Sequence, residues 1–351
     1  MNRLPIVEFH ILQSFPVSCL NRDDVGSPKS ALIGGTSRAR VSSQCWKRAL
    51  RLKMHELGTP IGLRTKNLAS VLTAKSLPLC PDEAKAAKAT EALASQLIAK
   101  DALIFVTPEE IDDLVTILKE ADFSDSVSKD AVKGFVKKHA KGNFSNALDI
   151  ALFGRMVAMQ ADLGVTAACS VAHAITTHKM ESELDFYTAV ADDDSSGEPG
   201  AAFLGVSEYS GGTFYRYICL DLNQLAANLC INELTEENLQ DLEHAISDFT
   251  TALFVAVPSA RQHTHAAFCP WNYARILVRN GQGIQVAFDK AVKSRNGFLE
   301  PSIEALKGAL SQHEKLFGER LYGKTADIEF SETGDLSIDN VISKINGALH
   351  E

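Results

Sequence analysis

Between Asp24 and Glu56 this chain has no carboxylate, yet it carries Lys29, Arg38, Arg40, Lys47, Arg48, Arg51 and Lys53. Elsewhere acids prevail: 44 Asp and Glu stand against 35 Lys and Arg, a formal net charge of −9. Ordinary surfaces interleave both signs, so a window of one sign is a candidate anion site. Three of its features suit a phosphate. Gly34-Gly35 has no Cβ to keep a ligand from the backbone. Ser42-Ser43-Gln44 reads as a helix start, whose free N–H groups and dipole favour an anion. Arg38 and Arg40 precede that start, and Lys47 and Arg48 follow within a turn. Taken singly, each of these cations also reads as part of a solvated helix face.

Other residues offer different chemistry. Tyr215 and Tyr217 share one face of the strand pattern FYRYI, with Arg216 between them, and such rings can stack nucleic-acid bases. A half-buried strand also favours Tyr. Asn21-Arg22-Asp23-Asp24 could supply carboxylates for metal-assisted phosphodiester cleavage, or simply form an Asx-type turn. Asp192-Asp193-Asp194 reads as a solvated loop. His173 and His178, and His263 and His265, are spaced as metal ligands or bases, but no third ligand can be named. No nucleophile elbow, zincin, P-loop or dinucleotide fingerprint is present. The expectation is no catalytic residue, no metal and no cofactor.

The elements that must position these residues follow from periodicity. Residues 5–13 alternate as a strand. WKRALRLKMHEL forms an amphipathic helix, with Trp46, Ala49, Leu50, Met54 and Leu57 on one side and Lys47, Arg48, Arg51 and His55 on another. Residues 60–147 read as a helical insertion rich in Ala, Lys and Glu, with Thr107-Pro108-Glu109 as a helix start. Near its end lies a second basic cluster: Lys129, Lys133, Lys137, Lys138 and Lys141. FLGVSEYSGGTFYRYICLDL predicts two strands about a turn at Ser210-Gly211-Gly212. Thr235 opens a helix that Pro258 ends, and residues 273–279 form a strand. GIQVAFDKAVKS and PSIEALKGALSQHEKLF both read as helices. The order implies an α+β domain interrupted by a long insertion.

The seven cysteines have no CxxC pair, which suits a reducing compartment and argues against a Cys zinc site. No apolar run has the length of a membrane span and no signal-peptide pattern opens the chain. The expected location is the cytoplasm. The acidic balance argues against indiscriminate nucleic-acid binding, but it would confine a polyanion to a local basic track.

SCLNRDD, GGTSRARVSSQCWKRA, DIALFGRM, SVAHAITTH, FYRY and KAVKSRNGFLEPSI stand in an order that closely resembles the CasC family, the repeated backbone subunit of the type I-E CRISPR surveillance complex Cascade. The resemblance covers residues 4–57, 148–220 and about 250–305 well. It implies a modified RNA-recognition-motif (ferredoxin-like) palm, an inserted helical fingers domain and a β-hairpin thumb. The palm would be 1–58, 182–189 and 214–351, the fingers 59–181 and the thumb 190–213. It further implies a non-catalytic subunit that polymerises along the CRISPR RNA, flips bases out at regular intervals and presents the guide to target DNA. Its partners would be further copies of itself, other Cascade subunits and a recruited helicase-nuclease, with no membrane. Arg22, Lys29, Ser42, Ser43, Gln44, Lys47 and Arg48 match the family's RNA-contacting positions. Cys169 falls near the apolar residue that meets the kinked base. Phe203 and Leu204 are candidates for the thumb tip, and Lys129 to Lys141 resembles the finger helix that touches target DNA. The related type III backbone subunits imply an alternative, a metal-dependent RNA-cutting subunit using Asp23 or Asp24.

Overall fold

A computed structural model describes residues 4–99, 102–140, 142–190, 201–259, 262–266 and 268–350. Its strands are β1 (Ile6–Ser18), β2 (Ser30–Ile33), β3 (Thr36–Val41), β4 (Leu63–Thr65), β5 (Ile104–Val106), β6 (Cys169–Val171), β7 (Ala174–Thr176), β8 (Glu183–Val190), β9 (Ala201–Asp221), β10 (Tyr273–Arg279) and β11 (Lys324–Ser331). Its helices are α1 (Ser43–Glu56), α2 (Leu68–Ser76), α3 (Glu83–Leu97), α4 (Pro108–Glu120), α5 (Lys129–His139), α6 (Leu148–Phe153), α7 (Leu222–Asn228), α8 (Glu236–Val255), α9 (Gln262–His265), α10 (Leu299–Tyr322) and α11 (Ile338–Gly347).

The chain divides into two units. The first comprises Met1–Leu4, Met54–Ser170 and Leu220–Asp248. It is mainly helical, with β4 and β5 as a two-stranded ribbon. Leu72, Leu93, Leu114, Leu118 and Phe135 meet in one of its clusters. A capping box starts α4: Thr107 accepts from the Glu110 amide while Glu110 accepts from the Thr107 amide. Glu110 also takes both its oxygens to Arg155 Nη1, at 2.8 and 2.7 Å, inside the unit. The return of residues 220–248 to this unit is a departure from the sequence reading, which assigns everything after 213 elsewhere.

The second unit comprises Pro5–Lys53, Val171–Cys219 and Phe249–Glu351. Its centre is a large sheet in the order β11-β10-β1-β9-β7-β3-β2, with β6 and β8 also pairing β9. The pairs β1–β10, β10–β11, β2–β3, β3–β7, β7–β9 and β8–β9 are antiparallel. Strand alternation divides its side chains between two buried faces. On one face Phe15, Val41, Trp46 and Phe214 cluster, and Phe9 meets Phe249 and Trp271 edge to face. On the other, Leu12, Tyr215, Tyr217 and Leu277 pack against Val286, Phe288, Leu306 and Leu310.

That second face buries charge. Glu8 and Arg279 form an ion pair with both side chains fully buried. Tyr217 Oη donates to Glu8 Oε1 at 2.6 Å, and the Ile284 amide donates to the same oxygen at 2.6 Å. Arg279 spends its other donors on the carbonyls of Tyr322 (2.9 Å) and Gln282 (2.7 Å). The segment 283–294, which reads as a helix from its sequence, is irregular instead: the Ile284, Val286 and Val292 amides go to Glu8, Tyr215 Oη and the Thr177 carbonyl and not to one another. Ser210-Gly211-Gly212 is likewise no turn, because β9 runs unbroken through it. Gly212 has φ +152°, and His178 Nε2 lies 2.6 Å from where a Cβ would stand. The glycine lets the His178 ring accept the Thr213 amide at 3.1 Å.

His10 lies beside this network, wholly buried, with Nδ1 2.9 Å from Tyr215 Oη. Tyr215 Oη accepts from the Val286 amide at 3.1 Å, so its own proton goes to His10. Burial first, then the charges of Arg279, His313 and Arg275, lower the His10 pKa to about 3. Below the ordinary value near 6.5 the unfolded chain binds a proton that the folded chain refuses, so stability falls as pH drops toward 3. Between pH 7 and pH 5 this one group should cost ~2 kcal/mol. His10→Asn keeps an acceptor for Tyr215 and removes the titration. Urea midpoints at the two pH values should therefore shift less in His10→Asn than in the parent; equal shifts would exclude His10 as the source.

Candidate nucleic-acid interface

Lys29, Arg40 and Arg48 of the 25–55 window come together where the β2–β3 hairpin meets the start of α1. Gly34 and Gly35 form the two-residue turn of that hairpin, with φ of +54° and +72° and Ile33 paired to Thr36. The first of them is needed for a contact within the chain: a Cβ on Gly34 would lie 2.0 Å from the Asp289 carbonyl oxygen. The close approach expected for a ligand is made by the protein's own backbone.

Asn21 joins the loop before β2 to the helix. Its Oδ1 accepts from the Ser42 amide at 2.9 Å, and its carbonyl accepts from the Lys29 amide at 2.8 Å. Ser42 Oγ then caps α1 by accepting from Cys45 N at 3.3 Å. Lys29 passes the chain on, its carbonyl accepting the Arg40 amide at 2.8 Å. Arg40 Nε donates to Ser30 O at 3.3 Å. These bonds set Lys29, Arg40 and the first turn of α1 side by side. Burial raises the Cys45 thiol pKa, and the charges of Lys29 and Arg48 oppose that shift, as expected for cations close to the first turn.

Along α1, Trp46, Leu50 and Met54 are buried, as the wheel predicts, while Leu57 lies beyond the helix and is exposed. Gln44 and Arg48 are exposed, and Ser43, Lys47, Arg51 and Lys53 are half-buried. The helix has no acid in its first turn. Arg22 is exposed on the loop, bridged to Pro28. Asp23 holds that loop, its Oδ1 accepting from Val25 N at 3.0 Å and Ser27 N at 2.9 Å. Among the described residues no three His, Cys, Asp or Glu side chains converge as a metal site.

Several expected contacts lie in the interior instead. Arg38 is fully buried and donates to the carbonyls of Thr176 (2.8 Å), Phe288 (3.1 Å) and Asp289 (3.3 Å). Arg216 is buried with its guanidinium 3.7 Å above the Trp46 ring, Nη1 donating to Gln13 at 2.6 Å. Burial lowers its pKa to about 9. Tyr215 and Tyr217 are buried with both hydroxyls engaged, so they form no open stacking platform. Cys169 is buried as well. Alternation along a strand shows which residues share a face, but not that a second layer covers it.

The spacing of His173 suggests a metal ligand. Its Nδ1 instead accepts from the Ser43 amide at 3.1 Å, at the edge of the cation cluster. His178 is stacked on Phe298 at 3.8 Å, and its ring nitrogens face the Lys179 carbonyl and the Thr213 amide. His263 is exposed, and the side chain of His265 lies outside the described residues, as do Asp192, Asp193 and Asp194.

The chain matches the model of the CT1975-like protein family over residues 7–343. It belongs to that family. Its fold is that of a chain of a CRISPR RNA-guided surveillance complex, pre-nicking, with a TM-score of 0.83 and 24% identity over 98% of this chain and 100% of that one. A second CRISPR RNA-guided surveillance complex contains a chain that matches with a TM-score of 0.72 and 22% identity, over 98% and 99% of the two chains. No curated protein matches. These findings agree with the resemblance carried by the motifs.

Two further groups of predicted contacts have mixed placements. β8 and β9 pair as a hairpin from Glu183↔Tyr209 to Val190↔Ala201, so residues 183–189 belong to the hairpin's first arm. Phe203 and Leu204 are in β9, opposite Ala189 and Thr188, and their side chains lie outside the described residues. On α5, Lys129, Lys133 and Lys137 follow one another at helical spacing and are exposed. Lys133 pairs with Asp130 at 3.3 Å, and Lys138 is bound to Asp113 at 2.5 Å. Lys141 lies outside the described residues.

A stacking tyrosine and a structural one respond differently to loss of the hydroxyl. Tyr217→Phe keeps the ring but removes a donor from buried Glu8, which should lower stability by about 1–3 kcal/mol. Single-stranded RNA binding by the folded fraction should not change. Urea midpoints, with filter binding normalised to folded protein, check this, and an unchanged midpoint would exclude the structural role of the hydroxyl.

Proposed function

We propose that this protein is a non-catalytic backbone subunit that grips CRISPR RNA by its sugar-phosphate chain. One observation carries the reading: on a molecule of net charge −9, Lys29, Arg40 and Arg48 gather at the acid-free amino end of α1. A guide's spacer varies, so its carrier must hold backbone and leave bases unread. Arg22, Ser42, Ser43, Gln44 and Lys47 complete the grip. In this reading the second unit is a modified RNA-recognition-motif palm, the helical unit is the fingers and the β8–β9 hairpin is the thumb.

The hairpin carries exposed Leu184, Phe186, Tyr187 and Val206. Exposed apolar strips of this kind suit contact with bases or with the next subunit. Copies would line up along the guide in the cytoplasm, and each thumb would flip out one base. The stretches between would pair with target DNA, with Lys129, Lys133 and Lys137 of the fingers against its phosphates. Other Cascade subunits and a helicase-nuclease would complete the assembly. Asp23 is engaged by two backbone amides, which supports a loop-holding role over catalysis.

Lys47→Glu combined with Arg48→Glu should leave α1 folded, because neither side chain is on the Trp46 side. Removing two charged interactions of about 1.5 kcal/mol each should weaken RNA binding by about 100-fold. Co-purification with a CRISPR RNA, read by the 260/280 nm ratio, tests this, and normal RNA retention would refute the grip. Assembled complex given complementary RNA and Mg²⁺ should leave it intact. Regular cuts that Asp23→Ala or Asp24→Ala abolish would show a nuclease instead.

A further inference from the structure

We infer that His173 positions the RNA grip, using one neutral imidazole nitrogen to hold both the first turn of α1 and the Arg40 side chain. This rests on the proposed RNA-binding role and adds a residue to it. The residue lies between β6 and β7, far in sequence from the cation window.

Ser42 Oγ satisfies only one of the orphan amides at the start of α1, that of Cys45. The Ser43 amide goes to His173 Nδ1 at 3.1 Å. Arg40 Nη1 stands 3.4 Å from the same nitrogen, while Arg40 Nε is held by Ser30 O at 3.3 Å. The guanidinium is thus fixed from two sides beside the helix start.

The choice of acceptor matters at this place. Helix starts usually recruit Asp, Ser, Thr or Asn oxygens. An aspartate would cap well and bind Arg40, but it would set a negative charge where a phosphate must come. An imidazole with its proton on Nε2 offers a lone pair at Nδ1 and no charge. The groups that face the ring favour that state. Arg40 from β3 and Lys29 from the loop before β2 both oppose a proton on it, and its chain neighbours are Ala172 and Ala174. Partial desolvation of the ring, followed by those two charges, holds its pKa below the usual imidazole range.

The test uses the purified full chain and a labelled single-stranded RNA of mixed sequence, bound across a series of salt concentrations. His173→Ala removes the acceptor. Binding should weaken about tenfold, and the log–log salt slope should become shallower by about 0.7, the share of the single phosphate that a displaced Arg40 no longer neutralises. His173→Asn places an amide oxygen on Cγ where Nδ1 stood, and it should restore both affinity and slope. Unchanged affinity in His173→Ala would overturn the inference. So would weaker binding at an unchanged slope that follows a lower melting temperature, since that is loss of fold only. Failure of the Asn variant to recover would overturn it too. Lys47→Glu with Arg48→Glu is the control for the underlying role. If the parent binds no RNA, or the double reversal binds as the parent does, the RNA reading itself fails. If the reversal abolishes binding while His173→Ala does not, only the His173 assignment fails.

Discussion

The Glu8 carboxylate, buried in the sheet, governs most of what lies around it. A buried charge is tolerated only when its partner and its remaining lone pairs are supplied. Here Arg279 supplies the opposite charge, and Tyr217 and the Ile284 amide supply the other bonds. Meeting that demand ties the Gln282 carbonyl and the Ile284 amide to the sheet. The carbonyls of Phe288 and Asp289 then receive Arg38 from β3. Gly34 is shaped by the same contact. A chain of satisfied bonds thus runs from an interior acid to the hairpin beside the cation cluster.

Covering that face has a functional consequence. The sheet of an RNA-recognition motif offers its aromatic rings to bases. This sheet is packed on both sides, so in the proposed reading nucleic acid is taken at its edge. β2 is that edge, and the loop before it, β3 and the start of α1 carry the cations. In that reading an edge site of positive charge and helix amides would recognise phosphate spacing and ignore base identity. Each copy would need only a few such contacts, because repetition along one strand would supply effective concentration.

Much of this was legible in the chain. The Trp46 side of α1, the helix starts at Thr107 and Thr235, and strands β1 and β10 follow from periodicity and capping, which are local properties. The absence of carboxylates around α1 marked the cation cluster on which the proposed function rests. His173 reads from its spacing as a metal ligand or base, because only the fold brings it beside Ser43 and Arg40. The 283–294 segment misled because its apolar spacing is helical, while its hydrogen-bond partners lie elsewhere in the chain.

What the sequence determined by itself is charge and local order: which residues form a cationic helix start, and that no acid stands near it in the chain. Tertiary structure alone decided which cations reach the surface. Arg38 and Arg40 are two positions apart on β3, yet the first is sealed inside and the second lies half-buried at the helix start. The physical reason is that alternation places residues two apart on the same side of a strand and says nothing of what covers that side. The 288–289 backbone, distant in sequence, lies over Arg38 and takes its donors, and Arg40 is left to the edge.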